Sequence, residues 1–409
     1  MGTVEPLTGN TLDVLVVGAG PAGAAAGIEV HRLGCSTAVV DKATFPRDKT
    51  CGDGLTTGAL RLLDALGFDV RRLPSWTPVT DTVLVSPSGR EVEVVLPPDG
   101  AYAGVAPRAE LDAALVEHAR SRGVEVREGV GVTALREQND RVTVTLADGT
   151  EVMARWVIAA DGHYSPVRRM LGDDHPAREL GTWHAFRQYF TGVDDPRLWV
   201  LFEEDFLPGY AWIFPVGDGR ANVGFGVLRN RAGHAPNGKA LAAQWRGLVD
   251  RPTLRRALGP NAEPEGTVRA WPIPAAYDRT RLAHGRVLFA GDAANVVDPM
   301  TGEGIAQALE SGALAARALA ASDDTEAVAA RYRADVDRAI GTDLRFAALL
   351  QHVLRVPLGA RAAIRAASLT PWTRRNFARW MWEDYPRALV FTPRRWRRGA
   401  FTAPGAYTS

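Results

Sequence analysis

An α/β fold, with a parallel sheet interrupted by an inserted antiparallel-sheet domain and followed by a helical C-terminal region, is predicted by three observations. The first is a buried-strand run, Leu12-Asp13-Val14-Leu15-Val16-Val17, that feeds Gly18-Ala19-Gly20-Pro21-Ala22-Gly23 and an alanine-rich helix from Gly23 to Arg32. The second is Leu288-Phe289-Ala290-Gly291-Asp292-Ala293-Ala294, far along the chain, which pairs with the first only as the second wall of one extended nucleotide site. The third is a strand-rich, aromatic stretch from about 180 to 275, which gives way from Asp323 onward to helical sequence rich in alanine and arginine.

The glycines of the first segment have physical tasks. Gly18 permits a tight turn, Gly20 lets a pyrophosphate approach the backbone, and Gly23 lets the helix pack on the strand, with the helix N-terminus facing the phosphates. A second strand, Ser36 to Val40, ends in Asp41, an acid placed for ribose hydroxyls, with Lys42 beside it. Strand, turn, helix, strand and terminal acid in register define a Rossmann-like FAD-binding domain, in which Gly18, Gly20, Pro21, Ala22, Gly23, Asp41 and Lys42 are cofactor-binding candidates.

Along the chain this domain is expected in three parts, residues 10–80, 105–178 and 277–322. Strands Thr82 to Val85 and Val92 to Val95 flank Pro87-Ser88-Gly89 as a hairpin, so residues 81–104 are assigned to the substrate domain. A helix opened by Pro107 runs through Leu111, Leu115 and His118, and Arg108 at its start is suited to bridge toward the cofactor. Strands near 124–126, 131–135, 142–146 and 152–159 return to the nucleotide domain, bringing Val132 and then Asp161-Gly162 to the cleft. Residues 179–276 form the substrate-binding sheet domain, with Tyr210 to Val216 and Ala221 to Val227 joined by Gly217-Asp218-Gly219. Residues 323–409 form the helical C-terminal region.

In Gly291-Asp292 the carboxylate is placed to accept a ribityl or ribose hydroxyl. Asp298-Pro299-Met300-Thr301-Gly302-Glu303-Gly304 then starts a helix from Ile305 to Ala320, whose free N–H groups would face the flavin pyrimidine. Pro299, Gly302, Gly304 and Ile305 are accordingly cofactor-binding candidates.

Balanced charge, a formal net of +1 over 409 residues, argues against nucleic acid as a partner. Two cysteines, Cys35 and Cys51, are too few for a disulfide framework, no leader pattern opens the chain, and the expectation is a cytoplasmic protein. The apolar run from 14 to 28 is short and rich in glycine, and fits the nucleotide turn better than a membrane span. No cluster of metal ligands is expected, His163 and His184 are read as ordinary polar histidines, and oligomeric state is left open.

Three motifs resemble the geranylgeranyl reductase family, among flavoproteins shaped like para-hydroxybenzoate hydroxylase. Phe45-Pro46-Arg47-Asp48-Lys49-Thr50-Cys51-Gly52-Asp53-Gly54 looks like the family's Lys-x-Cys-Gly loop beside the isoalloxazine. Pro208-Gly209-Tyr210-Ala211-Trp212-Ile213-Phe214-Pro215 is similar to its Tyr-x-Trp-x-Phe-Pro substrate motif, and Gly291 to Gly304 is the third. The resemblance spans roughly residues 12 to 320, and its wording is most similar to actinobacterial members proposed to act on menaquinone side chains. It implies saturation of isolated double bonds in a polyprenyl lipid or quinone, with FAD as cofactor and Arg47 and Lys49 near it. The alternative is a flavin-dependent monooxygenase or halogenase of the same fold.

An isolated alkene has no adjoining carbonyl to take up negative charge, so hydride from flavin N5 needs proton delivery to the other carbon. Cys51, with Gly52 beside it, is the catalytic candidate. Arg47 and Lys49 would lower a thiol pKa and an apolar channel would raise it. Tyr210, Trp212 and Phe214 alternate on one strand and share a face that lines the substrate path or packs a sheet core, with Pro215 ending the strand at the flavin. No second glycine fingerprint exists for a resident nicotinamide, so the donor is transient: NAD(P)H by default, with ferredoxin or a quinol as alternatives.

Residues 370–400 hold eight arginines against two acids, a net charge of +6, together with Trp372, Trp380, Trp382, Tyr385 and Trp396. This mixture suits peripheral contact with an anionic membrane at the inner face of the cell membrane, or else tryptophans packed on the body with arginines in solvent.

Overall fold

Leu12–Val17, Thr37–Val40, Val287–Phe289 and the second half of Glu151–Ala159 build the centre of the protein, apolar runs buried on both faces as a parallel sheet requires. In the computed structural model, which describes residues 11–173, 181–229, 238–396 and 402–408, the first sheet runs in the order Ala283–His284, Val287–Phe289, Glu151–Ala159, Leu12–Val17, Thr37–Val40, Glu125–Arg127. Leu12–Val17 lies parallel to Glu151–Ala159 and to Thr37–Val40, so segments distant in the chain meet at the carboxyl ends of the strands. Val142–Leu146 and Val132–Glu137 extend it as an antiparallel ribbon. The helix Pro21–Arg32 begins two residues before the expected Gly23, since proline in the first turn has no N–H to lose. It packs on Ile305–Leu319, where Gly312 is required: a Cβ there would lie 2.1 Å from the Ala22 carbonyl oxygen.

The second sheet is seven-stranded, in the order Glu263–Ile273, Trp183–Thr191, Arg220–Leu228, Tyr210–Gly217, Leu198–Leu201, Asp81–Val85, Glu91–Val95. Residues 81–95 thus join it by a parallel pairing of Asp81–Val85 with Leu198–Leu201. One face, including Phe186, Phe190, Trp199, Ile213 and Phe225, is closed by Trp245, Leu248, Leu254 and Leu258 from two helices, Gly238–Val249 and Pro252–Leu258. The other face turns toward the first sheet and the C-terminal helices Thr342–Leu354, Pro357–Ala367 and Pro371–Met381.

One sequence expectation is corrected here. The strand does not end at Pro215; it continues to Gly217, with Pro215 opposite Ala221 in its interior. An irregularity in register between Pro215 and Gly217 accommodates a residue that cannot donate to the ladder.

Candidate active site

The two sheets and the C-terminal helices enclose a cavity of about 820 Å³ that runs from the Gly18–Gly23 turn to the helices beyond residue 342. Gly20, Pro21, Ala22, Asp41 and Lys42 line its nucleotide end. No side chain caps the helix at Gly20, leaving its positive end open to the cavity. Gly18 and Gly23 lie behind this surface. Gly18 has φ +102° and a Cβ there would be 2.3 Å from the Ala160 oxygen, while a Cβ on Gly23 would be 1.7 Å from the Gly18 oxygen. Asp41 accepts hydrogen bonds from the Ala19 and Ala43 amides, at 2.7 and 2.8 Å, which fixes its carboxylate at the rim.

Asp161 and Gly162 line the middle of the cavity, but the Asp161 carboxylate caps the next helix, accepting from the Ser165 hydroxyl and the Val167 amide. Gly291 and Asp292 face them. Lys49 stands 3.8 Å from the Asp292 carboxylate and over the Trp271 ring, and burial lowers its pKa. His163, which the sequence reading set aside, is buried in the same wall, and neither ring nitrogen has a hydrogen-bond partner among the described residues. Val132 and Pro299 do not line the cavity. Val132 sits in the antiparallel ribbon, and the Pro299 carbonyl accepts from Gln351, tying its loop to Thr342–Leu354.

Gly302, Gly304 and Ile305 line the cavity where the helix Ile305–Leu319 starts, yet its first amides are not all free. The Glu303 carboxylate turns back and accepts from the Ile305 and Ala306 amides at 3.0 and 3.3 Å. An acid one residue before the N-cap reaches its own first turn, a local competition that the glycine spacing does not reveal.

The Cys51 loop is held from three sides. Asp53, fully buried with φ +65°, accepts from the Arg108 amide, the Tyr189 hydroxyl and the Asn222 amide nitrogen at 3.1, 2.6 and 2.7 Å. Asn222 also donates to the Cys51 carbonyl at 2.8 Å and accepts from the Trp212 indole at 3.0 Å. One asparagine therefore fixes the thiol loop relative to the aromatic strand. Burial raises the Cys51 pKa, with Arg108 opposing it, so the thiol form is favoured. Arg47 and Lys49 are not the main cations acting on it, contrary to expectation: Arg47 lies 3.2 Å from Asp112, and Lys49 faces Asp292. Arg108 is buried and paired bidentately with Asp112, its Nε and Nη2 at 2.8 and 2.7 Å from the carboxylate.

Tyr210, Trp212 and Phe214 share one face of their strand and line the cavity, with ring centroids 5.9 and 6.0 Å apart along it. The neighbouring strand puts Gly226, Gly224 and Asn222 opposite them. A Cβ on Gly224 would lie 2.3 Å from the Trp212 ring, so the glycine makes room for the indole. Gly52 packs the other way, its Cβ position 3.3 Å from Phe214 and 3.5 Å from Trp212. Pro215, of opposite parity, points away from the cavity.

The sequence reading missed a buried charge cluster where the C-terminal region meets the cavity. Arg387 pairs with Asp298 at 3.0 Å and with Glu383 at 3.2 Å, and Glu383 also accepts from Thr56 and Gln307. Burial and the neighbouring Glu383 push Glu303 up to about 8. Asp298 was visible as a helix-start residue, but Glu383 and Arg387 fall in a stretch with no recognisable motif. Of the arginines expected to meet a membrane, Arg379 pairs with Asp384, Arg387 is buried, and Arg395 pairs with Asp343. Trp382 and Tyr385 are buried, Trp372 and Trp396 are exposed, and Arg397 and Arg398 lie outside the described residues.

These residues fit FAD. An uncapped helix end, a glycine turn that a Cβ would fill, an acid at the second strand end and an orphaned imidazole line one continuous cavity. The FAD binding domain family model matches residues 11–334. The chain belongs to the geranylgeranyl reductase family within these FAD-binding flavoproteins and is an FAD-dependent oxidoreductase. A menaquinone reductase from Mycobacterium tuberculosis is 38% identical over 331 residues, covering 77% of this chain and 78% of that protein. A digeranylgeranylglycerophospholipid reductase from Methanopyrus kandleri is 31% identical over 347 residues, covering 82% and 84%. The structure of a geranylgeranyl bacteriochlorophyll reductase-like protein from Thermoplasma acidophilum matches with a TM-score of 0.79 at 23% identity, over 93% of this chain and 98% of that one.

Proposed function

We propose that the protein saturates isolated C=C bonds in the polyprenyl side chain of a quinone, menaquinone before a geranylgeranyl lipid, and takes electrons from a transient donor, NAD(P)H by default. The observation that carries this reading is the continuity of one cavity from the Cys51 thiol, along Tyr210, Trp212 and Phe214, to an apolar end at Ile364 and Phe377. FAD held in this cavity, once reduced by two electrons from the transient donor, would supply the hydride. Cys51 holds a proton at Sγ and releases it to the second alkene carbon; the resulting thiolate takes a proton back from solvent. The aromatic strand excludes water and lays the tail beside the thiol, while Asn222 keeps thiol and indole in register. The halogenase alternative is held back by the absence of a Trp-x-Trp-x-Ile-Pro pattern from the sequence, and the monooxygenase alternative rests on the fold alone. The enzyme is expected to work at the inner face of the membrane that holds its substrate.

The test is anaerobic turnover of the chemically reduced, FAD-loaded protein with menaquinone. Each cycle should add two hydrogens to the side chain by mass, and Cys51→Ala should slow this by about 10²–10⁴-fold with the flavin spectrum retained. Full activity in Cys51→Ala would remove the thiol from the reaction, and oxygen incorporation in place of hydrogen would overturn the reductase reading.

A further inference from the structure

The cavity does not end inside the protein. Its far wall is built by Leu350, Val353 and Leu354 from the helix Thr342–Leu354 and by Ala360, Ala363 and Ile364 from Pro357–Ala367. Val353 is at once a lining residue and 49% exposed, so the wall meets the outer surface there. Around that point the exterior is unusually apolar. Six of the thirteen large apolar side chains exposed among the described residues, Leu349, Val353, Val356, Leu358, Leu369 and Trp372, fall within residues 349–372. Leu349 and Val353 lie one turn apart on Thr342–Leu354, Val356 stands extended in the turn that follows, and Leu358, 77% exposed, stands at the start of Pro357–Ala367.

The charge of the same segment is one-sided. Residues 344–382 contain seven arginines and no aspartate, glutamate or lysine. Arg345, Arg361 and Arg379 are paired with carboxylates from elsewhere. Arg355, Arg365, Arg374 and Arg375 are exposed and make no ion pair among the described residues. An apolar patch ringed by unpaired arginines does not suit a symmetric contact with a second copy, because a two-fold axis would set like charges face to face. It suits lipid with anionic headgroups, where acyl chains take the leucines and phosphates take the arginines. No helix among the described residues is long and apolar enough to cross a membrane.

We propose that the corner between Thr342–Leu354 and Pro357–Ala367 docks on an anionic bilayer, with the gap at Val353 as the portal through which a lipid tail enters the cavity without crossing water. This rests on the polyprenyl reading of the site and shifts the membrane contact expected for residues 370–400 toward 349–375, keeping Trp372, Arg374 and Arg375 but not Arg379, Arg387 and Arg395, which are paired with carboxylates.

The experiment uses the full-length, FAD-loaded protein and two vesicle types, phosphatidylglycerol mixed with phosphatidylcholine, and phosphatidylcholine alone. Wild type should co-sediment with the anionic vesicles and lose most binding at high salt, each unpaired arginine at the surface contributing about fivefold. Val356→Glu with Leu358→Glu should weaken binding by about tenfold or more, whereas Leu33→Glu, at an exposed apolar residue after the helix Pro21–Arg32, should not. The double variant should also turn over vesicle-embedded menaquinone slowly while reducing a detergent-dispersed short prenyl quinone at the wild-type rate. Equal binding to neutral vesicles, or unchanged binding of the double variant, overturns the proposal. A wild-type dimer in light scattering that the double variant dissociates would reassign the face to a contact between copies. Vesicle binding by a wild type that reduces no polyprenyl substrate in either form would sink the functional reading and leave the docking surface standing.

Discussion

Asn222 joins two chemically different walls of the cavity through one planar side chain. It donates to the Cys51 carbonyl and the Asp53 carboxylate and accepts from the Trp212 indole. Asn222→Leu keeps the size, takes the partner from the Trp212 indole and the Cys51 carbonyl, each worth about 1–3 kcal/mol when left unpaired, and removes one of the three hydrogen bonds to Asp53. We expect a clear fall in unfolding free energy by urea titration and a larger fall in kcat than in FAD affinity, because the thiol loop loses its register with the tail. Glu303 supplies a second residue-scale expectation, of opposite kind. Burial and Glu383 push its folded pKa up to about 8 from an ordinary 4.5, so the native state holds a proton that the unfolded chain has released. That contribution to stability is complete below about pH 4.5 and is lost as pH rises through about 8, with a slope of up to about 1.4 kcal/mol per pH unit. Glu303→Gln keeps an oxygen for the Ile305 and Ala306 amides and removes the titration. Its thermal midpoint should vary less with pH than wild type between pH 6 and 9; parallel curves would show that another group governs the alkaline side.

At the scale of elements, the turn between Leu12–Val17 and Pro21–Arg32 tolerates no Cβ at Gly23, whose neighbour is the Gly18 carbonyl oxygen at 1.7 Å. Backbone cannot yield as a side-chain tip can, so Gly23→Ala must move the helix from the strand. We expect that variant to purify without yellow colour and to regain little flavin absorbance on adding FAD; stoichiometric flavin would refute the packing argument. This unit was legible in the sequence because its constraints are local: strand burial, glycine turn and terminal acid lie within about thirty residues. The alternation of Tyr210, Trp212 and Phe214 was equally legible, since parity along a strand follows from its pleat. What could not be read was which strand lies opposite. Gly224 beneath Trp212 and Asn222 beside Phe214 depend on the register between Tyr210–Gly217 and Arg220–Leu228. Pro215 was misplaced for the same reason, because a proline looks like a strand end until an irregular pairing is seen to absorb it. Glu303 was hidden differently: the motif named it, but whether its side chain leaves or caps its own helix is a rotamer choice.

Across the whole molecule, the C-terminal region is fastened to the FAD domain by charge as well as by apolar packing. Arg387 is 3% exposed, and it pairs with two carboxylates, Asp298 from a cavity loop and Glu383 from its own segment. Burial acts to lower its pKa, and Asp298 and Glu383 outweigh that, so it remains a cation. A lone buried arginine between two acids is not required for burying area; its removal leaves acids that cannot both stay ionised without water. Arg387→Met, similar in length and apolar, should therefore destabilise the protein by about 3–5 kcal/mol at pH 7.5, the range found when one member of a buried pair is removed. Most of that loss should disappear at pH 5.5, where Glu383, whose pKa burial already raises, can be protonated in place. Adding Glu383→Gln to Arg387→Met should recover part of it at pH 7.5, because one of the stranded charges is gone. Urea titrations of the two variants at both pH values decide the matter. A deficit independent of pH and unrelieved by Glu383→Gln would mean that the arginine acts through its packing alone, and the C-terminal region would then be held by its apolar contacts with the second sheet.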